Sequence, residues 1–398
     1  MKTIPKKAVP LFLVLGATVL GVTLPGPAAS AQQVLNDSRE RVSFSQLVEP
    51  GKKQQLADTG AREQSRAFYR RVTGAELNRG AEFFVDGEQA VIQVSPLDRA
   101  SNGKRVVDTE IPRGMTLSNG TERRPVDDDS IALHRKSQGL RQEFPGFYGR
   151  AHVMKVPEDM GRGRFTLKAN GNARANAEYI LYVLDKRSDI ELAVETPSKR
   201  FSRSGTLALE AKPAGKANAS LESVSATLIA PRGDRYDLQG NRSGNRYTVS
   251  WPVNVDAPSV PGELWRIEVR STLRNARKEP VERVAVVAAD IFTETATASV
   301  GGSDARGLAL SVDVREAGRY EARALVYGLD GNGEYQPVLL AYQAEWLDAG
   351  QREMTVPIDN AKLAASGLRA PYQVRSVQFL DQGRMSVLGY LQGNWELQ

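Results

Sequence analysis

The sequence predicts an all-β, mostly antiparallel protein built of several β-sandwich domains, and three observations carry that prediction. From Ile190 onward, apolar residues recur at every second position in run after run. Turn-forming glycine, proline, asparagine and aspartate residues separate the runs. The chain has 398 residues, more than one typical domain holds. Its composition, 41% apolar and 25% charged, is that of folded protein, so the domains can rest on buried cores. With no cysteine, a disulfide framework, a thiol nucleophile and a cysteine-ligated metal are all excluded.

Residues 1–31 read as a separate object. Lys2, Lys6 and Lys7 form a basic start, Val9 to Leu24 are mostly apolar, and Ala29-Ser30-Ala31 has the small-x-small form of a signal-peptidase site. The apolar run is shorter than the roughly 20 residues of a membrane span. A cleaved secretory signal is therefore expected, with Gln32 as the mature start and a periplasmic or secreted destination. Removing its three lysines lowers the net charge from +6 to +3. No single-sign cluster follows, so nucleic acid is not an expected partner.

Residues 32–189 form the first expected domain, β-rich with one short helix. The helix is placed on ADTGAREQSRAFYRRV, with Asp58 or Thr59 as cap. Ala61, Phe68 and Val72 would share one face, opposite a stripe of Arg62, Arg66 and Arg70. EFFVDGEQAVIQVSP reads as two strands in a hairpin around Asp86-Gly87. RFTLKANGNARANAEYILYVLDK repeats that theme, with Tyr179–Leu184 as a buried strand. The stretch from Arg99 to Gly149 is turn-rich and weakly patterned.

Residues 190–295 carry regular alternation: Ile190, Leu192 and Val194; Leu207 and Leu209; Tyr247, Val249 and Trp251; Trp265, Ile267 and Val269. These are the dimensions of an immunoglobulin-like sandwich. Thr293 to Gly307 is small and polar and reads as a linker running into an edge strand. Residues 296–398 then form a second immunoglobulin-like sandwich. In it Tyr320, Ala322, Ala324 and Val326 share one side, and Val338, Leu340, Tyr342, Ala344 and Trp346 share another. NAKLAASG supplies a short helix with Asn360 as cap and Gly367 as stop.

Chemistry-bearing motifs are scarce. Histidine occurs only at His134 and His152. There is no G-x-S-x-G elbow and no H-E-x-x-H, the spacings that place a serine nucleophile or two zinc ligands. GRGRFT and GGSDARG lack parts of a phosphate loop. Asp127-Asp128-Asp129 could offer hard oxygen ligands, but arginine and lysine flank it on both sides. In LVYGLDGNGEY, Asp330, Asn332 and Glu334 resemble the start of a calcium loop. An EF-hand from Asp330 needs glycine at its sixth place and glutamate at its twelfth, where this chain has Tyr335 and Ala341. A hairpin turn is expected instead. No catalytic, cofactor-binding or metal-binding residue is assigned. Tyr327 and Tyr335, flanking that turn, are the candidate ligand-binding residues because exposed rings stack on sugars and on other flat groups.

SRAFYRRVTGAELNRGAEFFVDGEQAVIQVSPL, RFTLKANGNARANAEYILYVLDKRSDIEL and the C-terminal AGRYEARALVYG, LDAGQREMTVPI and LAASGLRAPYQVRSVQFLD together resemble a family. It is an uncharacterised family of exported proteobacterial proteins, with a domain of unknown function, an N-terminal β-rich domain and tandem immunoglobulin-like domains. The resemblance implies export and this domain order, and carries over no catalytic residue. The expectation is an exported, non-catalytic binding protein with a protein or glycan partner. The alternatives are a secreted hydrolase or polysaccharide-processing enzyme with its site in the first domain, and a structural or adhesin stalk.

Overall fold

The computed structural model describes residues 38–49, 54, 56–97, 99–101, 104–106, 111–112, 114–126, 151–257, 263–304 and 306–397. The expected signal peptide, His134 and the Asp127-Asp128-Asp129 cluster lie outside these residues. The fold is all-β and multidomain, with two short helices among the described residues. None of the described helices is long and apolar enough to cross a membrane.

Three pairs of sheets enclose three cores. In the first domain, one sheet runs in the order His152–Lys155, Val91–Pro96, Glu178–Leu184, Ala67–Thr73; the other runs Ala81–Val85, Gly163–Lys168, Thr116–Ser118, Arg123–Pro125. Phe68, Leu77, Ile92, Phe165, Leu181 and Val183 fill the space between them. The middle domain pairs the order Gly240–Ser243, Arg246–Pro252, Thr206–Gly215, Ile190–Thr196, Ala61–Ser65 with Arg200–Ser202, Pro280–Phe292, Trp265–Arg274, Ser220–Ile229, Arg235–Leu238. Trp265, Ile267 and Val269 are at most 1% exposed, so the predicted alternation lies on the core face. Burying each such side chain stabilises the fold by about 1.5–3 kcal/mol. The last domain sets Val42–Leu47, Tyr335–Leu347, Gly318–Leu329, Arg369–Asp381, Ser386–Leu397 against Ala296–Asp304, Gly307–Val314, Gly350–Pro357.

Several local expectations are corrected. The run expected as a helix forms two strands, Ala61–Ser65 and Ala67–Thr73, which enter different domains. Arg62, Arg66 and Arg70 therefore form no helical stripe. Sheet pairing supplies each strand with a long-range hydrogen-bonded partner, which outweighs the weak local helical pattern. The helix of this domain is the next segment, Gly74–Arg79, where Thr73 and Glu76 make a reciprocal capping box.

The two expected hairpins also separate. Ala81–Val85 pairs with Gly163–Lys168, while Val91–Pro96 pairs with Glu178–Leu184, so both connections cross between sheets. Of Thr293–Gly307, expected as a linker running into an edge strand, most is that edge strand, Ala296–Asp304, laddered to Gly307–Val314. Tyr320 is core as expected, but Tyr342 and Trp346 are half-buried on the outer face of their sheet. The core phase of that strand instead holds Leu339, Ala341 and Leu347. The short C-terminal helix, Asn360–Ala365, is capped by Asp359 rather than Asn360.

The earliest described strand, Val42–Leu47, lies at the edge of the last domain's sheet, far from its sequence neighbours. Lys362 reaches over and donates from Nζ to the Ser45 carbonyl at 2.7 Å. A lysine over a free sheet edge is a common guard against edge-to-edge association.

Candidate functional site

A concavity opens where the first and middle domains meet, and the strand ends around it explain why. The strand Glu178–Leu184 ends at Asp185, and the turn after it leads into Ile190–Thr196 of the middle domain. The turn at Asp86-Gly87 lies against this connection. Asp185 Oδ2 accepts from the Asp86 N–H at 2.9 Å, and its Oδ1 accepts from the Gly87 N–H at 3.0 Å. A Cβ on residue 87 would sit 2.4 Å from the Ser188 nitrogen, so only glycine permits the approach.

Arg283 of the strand Pro280–Phe292 enters from the middle domain. Its Nη2 donates to Asp185 Oδ2 at 3.2 Å and to Ser188 Oγ at 2.7 Å, and its Nε donates to the Ile190 carbonyl at 3.0 Å. Ser188 Oγ donates to Asp86 Oδ2 at 2.8 Å, and Asn275 Nδ2 donates to Asp86 Oδ1 at 3.1 Å. Asp185 and Arg283 are both 0% exposed. Burial pushes the Asp185 carboxyl up from its ordinary range, against the pull of Arg283 and of the Asp86 and Gly87 N–H groups. A buried pair of this kind is tolerated only when its remaining donors and acceptors are also satisfied, as they are here.

Above this floor lies a cleft of about 540 Å³. Glu88, Arg162, Arg187, Asp189 and Arg277 line its rim and are exposed, while Asp86 and Asn275 lie at its base. Arg187 faces Glu88 at 3.9 Å, and Arg277 pairs with Glu279 at 3.0 Å. The rim carries both signs of charge on solvent-facing side chains. Such an arrangement can hold a polar partner by hydrogen bonds and rim ion pairs, the groups that set orientation and specificity.

The residues singled out from sequence lie elsewhere. Tyr327 and Tyr335 are half-buried and brought together by Arg375, whose guanidinium carbon is 5.4 Å from the Tyr327 ring centre and 3.9 Å from that of Tyr335. Arg375 therefore occupies a face of each ring. The Tyr327 hydroxyl donates to the Gln54 carbonyl at 3.4 Å, and burial pushes its phenol up. The Asp330 stretch is a turn between Gly318–Leu329 and Tyr335–Leu347. Its carboxylate accepts from the Asn332 and Glu334 N–H groups at 2.8 and 2.9 Å, which hold the carboxyl below its ordinary range. His152 is half-buried in the strand His152–Lys155. Among the described residues, no three histidine or acidic side chains are grouped to hold a metal.

Asp185 and Arg283 were not singled out, although the sequence marks both. Tyr179, Leu181, Val183 and Asp185 keep one phase of the alternation, as do Val281, Arg283, Ala285 and Val287. A charge in the core phase of a strand signals a buried partner.

Residues 33–185 match the DUF4785 N-terminal domain, a domain of unknown function, and residues 291–396 match the C-terminal domain of the same family. A crystal structure of a DUF4785 family protein from Legionella pneumophila is similar over 90% of this chain and 93% of that one, with 18% identity and a TM-score of 0.72. A tetra-tandem repeat from the extending region of a large adhesion protein aligns over 85% of this chain and 75% of its own, with 12% identity and a TM-score of 0.19. No curated protein matches the sequence.

Proposed function

The chain belongs to the DUF4785 family, and from that premise we propose that it is an exported, non-catalytic binding protein whose cleft between the first and middle domains holds a polar protein partner. The observation that carries this reading is the cleft itself: an open, charged rim over a floor held by a fully bonded, buried network. A floor of this kind keeps the rim side chains at fixed spacing, which lowers the ordering cost of binding. Rim charges of both signs favour a partner segment that also carries both signs. Export rests on residues 1–31, read as a cleaved signal.

The test is affinity capture from periplasmic and culture-medium fractions with the full chain, followed by titration of each captured protein. A specific partner should be weakened at least tenfold by Arg187→Ala with Arg277→Ala. Retained binding in that double variant would move the site away from the cleft. Turnover of a polymer or ester, abolished by one substitution of an acid or histidine, would replace the reading with an enzyme. A reporter fused to residues 1–31 that stays in the cytoplasm would remove export.

A further inference from the structure

A second concavity, about 210 Å³, lies where the strand Ala67–Thr73 crosses the outer face of the middle domain's sheet. Sheet register fixes its floor. Ser223, Thr272 and Glu282 stand side by side on three neighbouring strands, and Ser225, Arg270 and Val284 form the next row. Phe68, Tyr69 and Arg70 make the wall. We infer that this groove binds a neutral polyhydroxylated ligand, one sugar residue of a glycan chain. The inference goes beyond the cleft reading and stands on separate residues.

The argument is one of matching donors and acceptors. The hydroxyls of Ser223, Ser225 and Thr272 line the groove with no hydrogen-bond partner among the described residues. Arg70 stands in the wall, its Nη2 donating to the Glu82 carbonyl. Arg270 is held in place on three sides. Its Nε donates to Glu268 Oε1 at 2.7 Å, its Nη1 donates to the Tyr69 carbonyl at 2.6 Å, and its guanidinium carbon lies 4.6 Å from the Tyr69 ring centre. The Glu282 carboxylate lines the same groove and makes no ion pair among the described residues.

Each ligand class meets this lining differently. An oxyanion would sit beside the carboxylate of Glu282, and an ammonium would sit beside the guanidinia of Arg70 and Arg270. An apolar group would leave the three hydroxyls of Ser223, Ser225 and Thr272 without partners. A sugar hydroxyl both donates and accepts, so it satisfies Glu282, the guanidinia and the serine and threonine hydroxyls together. Stacking adds nothing here, because Arg270 covers Tyr69 and Phe68 is 1% exposed. Affinity therefore rests on hydrogen bonds, and each lining hydroxyl should matter.

The experiment is saturation-transfer NMR and calorimetric titration of the full chain. The probes are glucose, galactose, mannose, N-acetylglucosamine and their β-linked disaccharides, with sodium sulfate and methylammonium as charged probes. At least one neutral sugar should bind, and Ser225→Ala with Thr272→Val should weaken it at least tenfold. Ser223→Ala with Ser225→Ala, both at exposed positions, repeats the test should the threonine change disturb folding. Arg187→Ala with Arg277→Ala, in the cleft, should leave sugar binding unchanged, which separates this groove from the cleft. No binding by any neutral sugar, or binding that survives both groove variants, overturns the inference. Sulfate binding that those variants abolish would also overturn it and assign the groove to anions.

Discussion

The two domain junctions of this chain are built from different physics. Between the first and middle domains, Asp185 and Arg283 are fully buried, and Val284 and Val286 of the middle domain pack into the first domain's core. Between the middle and last domains, Arg200 makes a polar link: its Nη2 donates to Ser386 Oγ at 3.2 Å, while its Nε donates to Asp290 Oδ2 of its own domain at 3.1 Å and its guanidinium lies 4.7 Å over the Phe292 ring. Its Asp290 partner is 35% exposed, so water screens this contact. Both junctions seat an apolar side chain in the neighbouring core, Phe292 at the second, but only the first buries an ion pair completely. Both concavities argued for binding flank the first junction, where ligand contacts would be most rigidly held.

Breaking the buried pair should have the largest effect. Arg283→Met leaves the Asp185 carboxylate buried without its guanidinium, a loss of about 3–5 kcal/mol on unfolding in urea. Adding Asp185→Leu should recover only part of that loss, because it removes the stranded charge but leaves the Asp86 and Gly87 N–H groups without their acceptor. A loss below about 1 kcal/mol for Arg283→Met would mean that the junction is not built as a core.

Tyr69→Phe probes the same junction more gently. The Tyr69 hydroxyl donates to Glu268, which is 4% exposed and lies across the domain boundary. Removing it should cost about 1–2 kcal/mol, since Glu268 keeps Arg270 and Arg235. Burial pushes the Tyr69 phenol up to about 12, helped by Glu268. A group raised on folding stabilises fully below its unfolded value and loses that contribution as pH rises through its folded value. The stability gap between wild type and Tyr69→Phe should therefore hold below about pH 10 and shrink toward pH 12. Chemical denaturation at several alkaline pH values reads this directly, and a constant gap would detach Tyr69 from the effect.

Arg200→Ala should act on the second junction and cost about 1 kcal/mol, the scale of a partly exposed ion pair with a cation–π contact. Its loss should shrink in high salt, whereas that of Arg283→Met should not. Equal salt sensitivity of the two variants would erase the contrast between junctions.

Much of this architecture was legible because alternation reports burial directly. The core phases at Trp265, Ile267 and Val269, and at Tyr320, Ala322 and Ala324, follow from sequence alone. What was not legible is pairing between distant segments. ADTGAREQSRAFYRRV has a weak helical pattern, yet Ala61–Ser65 pairs with residues 192–196 and Ala67–Thr73 with residues 178–184. Nothing within the run itself encodes those partners. Tyr342 and Trp346 keep the phase of apolar neighbours yet face outward, for a similar reason. Tyr342 is amphipathic and sits on the outer face, where it stacks on Phe44 at 4.5 Å and bonds to Glu321. The site was partly legible. Asp185 and Arg283 stand in core phase on separate strands, but only the fold shows that they meet.

The smallest effect belongs to a place remote from both junctions, the turn at Asp330. Its carboxylate organises the turn through the Asn332 and Glu334 N–H groups and carries no load between domains. Asp330→Ala should therefore lower the melting temperature less than Arg200→Ala does. The pH dependence identifies the cause. Backbone hydrogen bonds, that from Glu334 first, lower this carboxyl on folding. Its contribution is thus present above the unfolded value, about 3.9, and is lost as pH falls through the lower folded value. The gap between wild type and Asp330→Ala should close as melting is followed from neutral to strongly acidic pH. Calcium should leave that gap unchanged, because both carboxylate oxygens already serve the turn, Oδ2 accepting from Gln336 at 3.3 Å. A calcium-dependent rise in melting temperature that Asp330→Ala abolishes would instead make the turn a metal site, and the last domain would then hold a binding function of its own.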